Sequence, residues 1–263
     1  MKSPGTCLGA MRTEAPLVQN ITNFVAMNVM ANVILAIGAS PAMVHARVEA
    51  AEFAALAQAL TVNIGTADPE WGAAMAEAAR VTAEAGRPWV LDPVGVGATR
   101  FRQDLSARLL ALGPTVVRGN ASEILALAGL GGAARGVDAG DSVAAAEDAA
   151  RTLARRTGGV VAVSGPVDFA TDGVRAVRIA NGHPLMSRVT AMGCSLNGVI
   201  AAFCVGQPPL DATAAALAAY GLAGEIAGRS ATGPGSFQPA FLDALHALSP
   251  EALDARARIE DAA

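Results

Sequence analysis

The sequence predicts an α/β fold, a largely parallel central sheet with helices on both faces, and three observations predict it. Short apolar runs alternate along the chain with stretches of helical length, which is how a parallel sheet is built. The runs are near-continuous in Val, Ile and Leu, as strands buried on both faces require. Polar or glycine-bearing residues follow the runs at His45, Gly65-Thr66, Asp92-Pro93, Arg118-Gly119-Asn120 and Ser164-Gly165. Ligands on such sheets bind beyond the carboxyl ends of the strands, so these places are expected to share one rim.

The elements follow in order. Residues 1–15 read as an irregular start or a short helix, and Pro16–Thr22 as a brief apolar core ending in polar residues. Phe24–Ile37 is a strongly apolar helix stopped by Gly38; its Asn28 and Asn32 lie four apart, either lining a pocket or bonding a neighbouring loop. Ala42–His45 reads as a buried strand, Val48–Ala59 as a helix, and Leu60–Ile64 as a strand closed by Gly65-Thr66. Pro69–Ala85 carries helix signals, a proline near its start and Gly86 past its end. Trp89–Leu91 is a strand running into Asp92-Pro93-Val94-Gly95-Val96-Gly97. Arg100–Leu112 is a helix, Thr115–Val117 a strand, and Ala121–Leu127 opens another helix. Gly129–Gly140 reads as a mobile surface loop, with Ser142–Arg156 helical beyond it. Val160–Val163 is a strand ending in Ser164-Gly165-Pro166. Asp168–Thr171 and Val174–Ile179, joined at Asp172-Gly173, form a β-hairpin. A long Ala-rich helix at Ala212–Ala227, a turn at Gly233–Ser236 and a last helix at Phe237–Leu248 complete the fold. Residues 1–263 read as one domain, with 1–15 and the charged, helix-prone 250–263 at its periphery.

Composition narrows the function. The 263 residues are 52% hydrophobic and 16% charged, enough for one sizeable core. The net charge of −4, with no Lys/Arg block, disfavours nucleic acid as a partner. The mean hydropathy of +0.40 is high, yet every long apolar run is broken by Asn, Gly, Pro or charge, so no membrane span is expected. High apolarity without a span points to buried subunit interfaces. The N-terminus has no apolar leader core. Cys7, Cys194 and Cys204 are an odd set without metal spacing and point to a reducing cytoplasm. His45, His183 and His246 also lack metal spacing and read as structural.

The chemistry centres on Val189–Phe203, VTAMGCSLNGVIAAF, a small-residue loop running straight into an apolar helix. Gly193 allows a close backbone approach. Cys194 and Ser195 fall in the first turn, where free N–H groups and the helix dipole favour a phosphate, and the same field lowers a thiol pKa. Taken alone, the pair also reads as a turn glycine and a small buried cysteine. Asp92 suits Mg²⁺ or a turn cap. Glu123, three residues after Asn120, suits a metal or a capping box equally. Arg118 can pair with nucleotide phosphates or a rim carboxylate, and Ser164-Gly165 offers a hydroxyl and amides to a phosphate or forms an ordinary turn. No P-loop occurs.

Taken together, these stretches resemble the hydroxyethylthiazole kinases of the ribokinase-like superfamily. QNITNFVAMNVMANVILAIGASPAMVHA, NIGT, LDPVGVGATRFR, VRGNASEILAL, the TDG hairpin, NGH, VTAMGCSL and GPGSF occur in the family's order over about residues 16–248. The resemblance implies phosphorylation of the primary alcohol of 5-(2-hydroxyethyl)-4-methylthiazole by ATP with Mg²⁺, a salvage step toward thiamine, in a cytoplasmic homotrimer with the thiazole pocket at the subunit interface. It implies thiazole contacts at Met43 and Ala191, with Asn23 and Gly65 lining that pocket. It implies ATP contacts at Arg118, Ser164 and Gly193, an acidic pair near Mg²⁺ at Asp92 and Glu123, and a base at Cys194, where other ribokinase-like enzymes carry Asp. The chain departs at Ala191-Met192, where Gly-Thr is expected in many relatives. Alanine disfavours positive φ, so either the loop uses ordinary dihedrals or the pocket is reshaped.

Overall fold

A computed structural model of the protein describes residues 1–129 and 142–262. The chain opens with helix α1 (Pro4–Glu14), strand β1 (Leu17–Ile21), α2 (Met27–Ile37) and β2 (Ser40–Ala42). Then come α3 (Arg47–Ala54), β3 (Ala59–Asn63), α4 (Pro69–Glu84), β4 (Trp89–Asp92), α5 (Arg100–Leu110), β5 (Val116–Asn120) and α6 (Ala121–Gly129). The second half has α7 (Ser142–Thr157), β6 (Val160–Ser164), β7 (Asp168–Thr171), β8 (Ala176–Ile179), a 3-10 turn at Pro184–Arg188, α8 (Met192–Cys204), α9 (Pro209–Gly228), α10 (Pro234–Ala247), α11 (Pro250–Arg256) and β9 (Ile259–Asp261).

Among the described residues these strands form one sheet in the order β2-β1-β3-β4-β5-β6-β7-β8-β9. The strands from β2 to β6 pair in parallel, and β6 to β9 antiparallel. Successive strand side chains enter opposite cores: Val90, Val116 and Val160 join the layer of α1, α2, α8, α9 and α10, while Leu91, Val117 and Val161 join that of α3 to α7. Helix α9 is buried along almost its whole length. Its alanines and glycines let α1, α8, α10 and the sheet crowd round it, as a helix apolar on every side must be.

Several boundaries move, each for a local reason. Gly38, at φ 106°, turns the chain so tightly that β2 starts at Ser40, pairing with Leu17; the strand expected at 42–45 is therefore 40–42, with Pro41 tolerated on a sheet edge. Helix α2 begins at Met27, because the Asn23 side chain accepts the Ala26 N–H at 3.0 Å and makes a turn first. The helix expected to reach Ala59 stops at Ala54, and Ala59 opens β3. Helix α10 starts at Pro234, inside the expected GPGS turn, with proline in its first turn. Asn28 and Asn32 bond each other at 3.2 Å on an exposed face. Both ends of the chain, expected at the periphery, are tied in: Cys7, Leu8 and Met11 of α1 are buried in the core, and β9 pairs with β8. Of the loop expected at 129–140, Gly129 ends α6 and the rest lies outside the described residues.

Candidate active site

The parallel strands put Asn63, Asp92, Asn120 and Ser164 at one rim, with Asn63 opposite Asp92 and Asn120 opposite Ser164. Asp92 is 2% exposed. A charge that deep needs partners, and Asp92 Oδ2 accepts from Asn63 Nδ2 and Asn197 Nδ2, each at 2.6 Å. Asn63 Oδ1 accepts from Asn23 Nδ2 at 3.0 Å and from the Gly65 N–H at 2.9 Å. Asn23 Nδ2 is also 3.2 Å from Cys194 Sγ. One buried polar chain thus links Cys194, Asn23, Asn63, Asp92 and Asn197. Gly65 is a glycine because a Cβ there would lie 3.0 Å from Asn23 Cβ and Asn63 Oδ1.

Helix α8 brings its N-terminus to the same place. Ala191, its N-cap, has φ 64° and ψ 3°, so the loop does use left-handed dihedrals despite the alanine. Gly193 is not among the positive-φ residues. Its reason is space, since a Cβ would lie 2.8 Å from Arg118 Nη1. The Ser195 N–H, expected to point outward, donates to Ala191 O at 2.9 Å, leaving the Gly193 and Cys194 amides to face a ligand. Arg118 Nη2 donates to Ser164 Oγ at 2.6 Å, and Ser164 Oγ donates to Gly119 O at 3.2 Å. Arg118 Nε is buried without a hydrogen-bond partner among the described residues. A guanidinium, a hydroxyl and a helix N-terminus therefore converge, which suits a phosphate.

Electrostatics correct one expectation. The Cys194 thiol is raised, not lowered: burial and then the Asp92 charge outweigh the Asn23 and Asn63 amides and Arg118. Burial also pushes Asp92 up to about 6, with Arg118 opposing and Glu123 adding to the rise. Glu123 is a capping-box residue: its Oε2 accepts the Asn120 N–H at 2.9 Å while Asn120 Oδ1 accepts the Glu123 N–H at 2.9 Å. Its Oε1 also accepts the Gly95 N–H at 3.0 Å, tying down the loop after β4.

Among the described residues no three His, Cys, Asp or Glu side chains gather to hold a metal. Asp92 and Glu123 form a pair, and two carboxylates are what Mg²⁺ takes from protein when substrate phosphates and water complete its shell. Burial is the main cause of the rise at Asp92, with the Glu123 charge adding to it; a cation beside Asp92 would offset both, so the residues fit Mg²⁺ carried with a nucleotide.

Beside this mouth lies a cavity of about 590 Å³, lined by Arg118, Ser164, Asp168, His183, Gly193 and Tyr220, among others. Asp168 accepts the Gly165 N–H at 2.9 Å and is pushed up to about 6 by burial. His183, which reads as structural in the sequence, both caps the 3-10 turn and lines this cavity. Met43 follows the edge strand β2, half-buried against the core, separated from Arg118 by β1, β3 and β4 and from Ser164 by β5 as well. His45 packs edge-on to Trp71 at 4.7 Å. Asn63, Asn197 and Tyr220 escape sequence reading; the signal for the first two is a polar residue at a position the apolar pattern assigns to the core.

Comparison with known proteins places the chain in a family. The model of the hydroxyethylthiazole kinase family matches residues 8–251. A hydroxyethylthiazole kinase of Cereibacter sphaeroides is 68% identical over 262 residues, all of both chains. One from Rhizobium leguminosarum is 59% identical, covering 99% of this chain and 98% of the relative. The structure of a hydroxyethylthiazole kinase protein from Pyrococcus horikoshii superposes with a TM-score of 0.92 at 40% identity, covering 99% of each chain. A Staphylococcus aureus pyridoxal kinase shares the fold at a TM-score of 0.61 and 15% identity, covering 94% of this chain and 98% of that one. With its parallel sheet, its α8 mouth and these relatives spanning its whole length, the chain belongs to the hydroxyethylthiazole kinase family.

Proposed function

We propose that the protein transfers the γ-phosphoryl group of ATP to the hydroxyl of 5-(2-hydroxyethyl)-4-methylthiazole, a salvage step toward thiamine. The observation that carries this reading is the convergence of Arg118, Ser164 and the Gly193–Cys194 amides above the buried Asp92. Phosphoryl transfer rests mainly on positioning and charge neutralisation. Arg118 and Ser164 hold the ATP phosphates in the large cavity. The alcohol oxygen bonds the γ-phosphorus as the bond to the β-phosphate oxygen breaks, and the Gly193 and Cys194 amides take up charge on the moving group. Asp92 and Glu123 are the residues that hold Mg²⁺, which when bound screens the phosphate charge. Met43, Asn23, Gly65 and Ala191 shape the thiazole pocket. Production of ADP and thiazole phosphate, assayed against hydroxymethylpyrimidine and pyridoxal as rival alcohols, tests the reading; preference for a rival overturns it.

The alcohol proton passes to Cys194 late in the step. A thiol raised above its ordinary range is mostly protonated at neutral pH, so only its small thiolate fraction accepts a proton. Turnover of the native protein should therefore climb with pH. Cys194→Ser should be impaired yet active, because positioning survives. Cys194→Asp should match or exceed the native rate at pH 7 and flatten the pH profile, because a carboxylate is already ionised there. A folded, ATP-binding Cys194→Asp protein without turnover would remove Cys194 from the mechanism.

The protein acts in the cytoplasm as a homotrimer with the thiazole pocket between protomers. No helix among the described residues is long and apolar enough to cross a membrane. Phe24 and Val25 are 67% and 60% exposed beside Asn23, and Phe24 lies 4.6 Å from the Trp71 ring; apolar surface next to a ligand pocket is what a subunit boundary covers. Light scattering should give a trimer, and a stable, active monomer refutes this assembly.

A further inference from the structure

The N-cap of α8 holds a conformation its own side chain resists. Ala191 lies in the left-handed region, at φ 64° and ψ 3°, and makes no side-chain cap bond; L-residues with a Cβ rarely adopt these angles. What keeps it there comes from elsewhere. The Ala191 carbonyl accepts the Ser195 N–H at 2.9 Å and lies 2.8 Å from Ser195 Oγ. The next carbonyl, of Met192, accepts from the Tyr220 hydroxyl at 2.8 Å and lies 3.2 Å from Ser195 Oγ. The two hydroxyls are 2.7 Å apart. Two hydroxyl protons are thus shared among two consecutive carbonyls and each other.

To leave the left-handed region, Ala191 must swing the 191–192 peptide, which pulls its carbonyl off Ser195. Tyr220 does not give way: it is 2% exposed, and its ring stands edge-on to Phe241 at 4.8 Å. It also lines the cavity that holds Arg118 and Gly193.

We propose that Tyr220 is a positioning residue for phosphoryl transfer. Its hydroxyl, with that of Ser195, clamps the Ala191 and Met192 carbonyls and so keeps the Gly193 and Cys194 amides aimed at the moving phosphoryl group. The proposal rests on the reading of that mouth as the phosphoryl seat. Tyr220 acts through the backbone, and its importance depends on the side chain at 191. Alanine needs the clamp, whereas glycine adopts the same dihedrals unaided.

The test is a double-mutant cycle on the full-length protein with Tyr220→Phe, Ala191→Gly and both. Phenylalanine keeps the ring against Phe241, and thermal melting follows the fold. In the native background Tyr220→Phe should lower kcat by about fivefold or more with little change in KM for the thiazole alcohol. In the Ala191→Gly background the same substitution should lower kcat by less than about twofold. Calorimetric binding of AMP-PCP reads the same cycle without turnover and should weaken by about threefold only when Ala191 is present. Equal losses in both backgrounds, or a lower melting temperature with kcat and binding unchanged, overturn the clamp. A native protein that binds AMP-PCP in this pattern but phosphorylates no alcohol overturns the proposed function and leaves the clamp standing. A native protein that binds no nucleotide overturns both.

Discussion

Asp92→Asn should lower kcat by about 1,000-fold, about 4 kcal/mol in the barrier, while the protein stays folded. The amide matches the carboxylate in shape, and its carbonyl oxygen can keep both bonds that Asp92 Oδ2 now accepts from Asn63 and Asn197. The negative charge that would bind Mg²⁺ is lost. Stability should move the other way. The folded value of about 6 lies above the ordinary 3.8 because burial disfavours the charge. In the absence of metal, the native fold therefore loses stability as pH rises from about 4 through about 6, by at most about 3 kcal/mol. An uncharged side chain avoids that loss. Asp92→Asn should melt above the native protein at pH 7 and with it below pH 4. Turnover within about tenfold of native across a magnesium titration would remove Asp92 from metal binding.

The fold was legible because its signals are local. Continuous apolar runs such as Val160–Val163 and stop signals such as Gly38 and Gly86 each act within a few residues. Boundaries failed where tertiary pairing decided them, as at Ser40, which joins the sheet only because Leu17 lies beside it. At the site, residues at strand ends stood out, since Asp92, Arg118 and Ser164 each break an apolar run. Asn63 and Asn197 did not, because a single polar residue in a strand or helix means little until β3, β4 and α8 meet round Asp92. Tyr220 was hidden deeper, in an alanine-rich helix with no polar pattern; its partner carbonyl, that of Met192, lies 28 residues away. The thiol pKa was misjudged because the helix-terminus field is visible in sequence, while burial and a neighbouring carboxylate are properties of the assembled site.

Gly193→Ala should weaken kcat/KM for ATP by about 100-fold, the second-largest effect expected. The added Cβ would lie 2.8 Å from Arg118 Nη1 and 3.3 Å from Nη2. The first distance is one a real Cβ does not show and the second is tight, so something must move, and the free end of a long side chain moves most easily. The guanidinium would leave the groove between Gly193 and Ser164, breaking its 2.6 Å bond to Ser164 Oγ. That displaces the cation from the proposed phosphate seat and puts a methyl group where a phosphate oxygen must approach the Gly193 and Cys194 amides. The fold should not suffer. Gly193 lies within α8 and is not among the positive-φ residues, so alanine fits its dihedrals and raises helix propensity by up to about 1 kcal/mol. Activity and stability should therefore part, with a melting temperature at or above native and ATP binding lost. Arg118→Met, which removes the cation without filling the groove, should reproduce most of the loss. A Gly193→Ala protein that binds ATP like the native one would show that the α8 mouth does not hold the phosphates, and the assignment of Arg118 would fall with it.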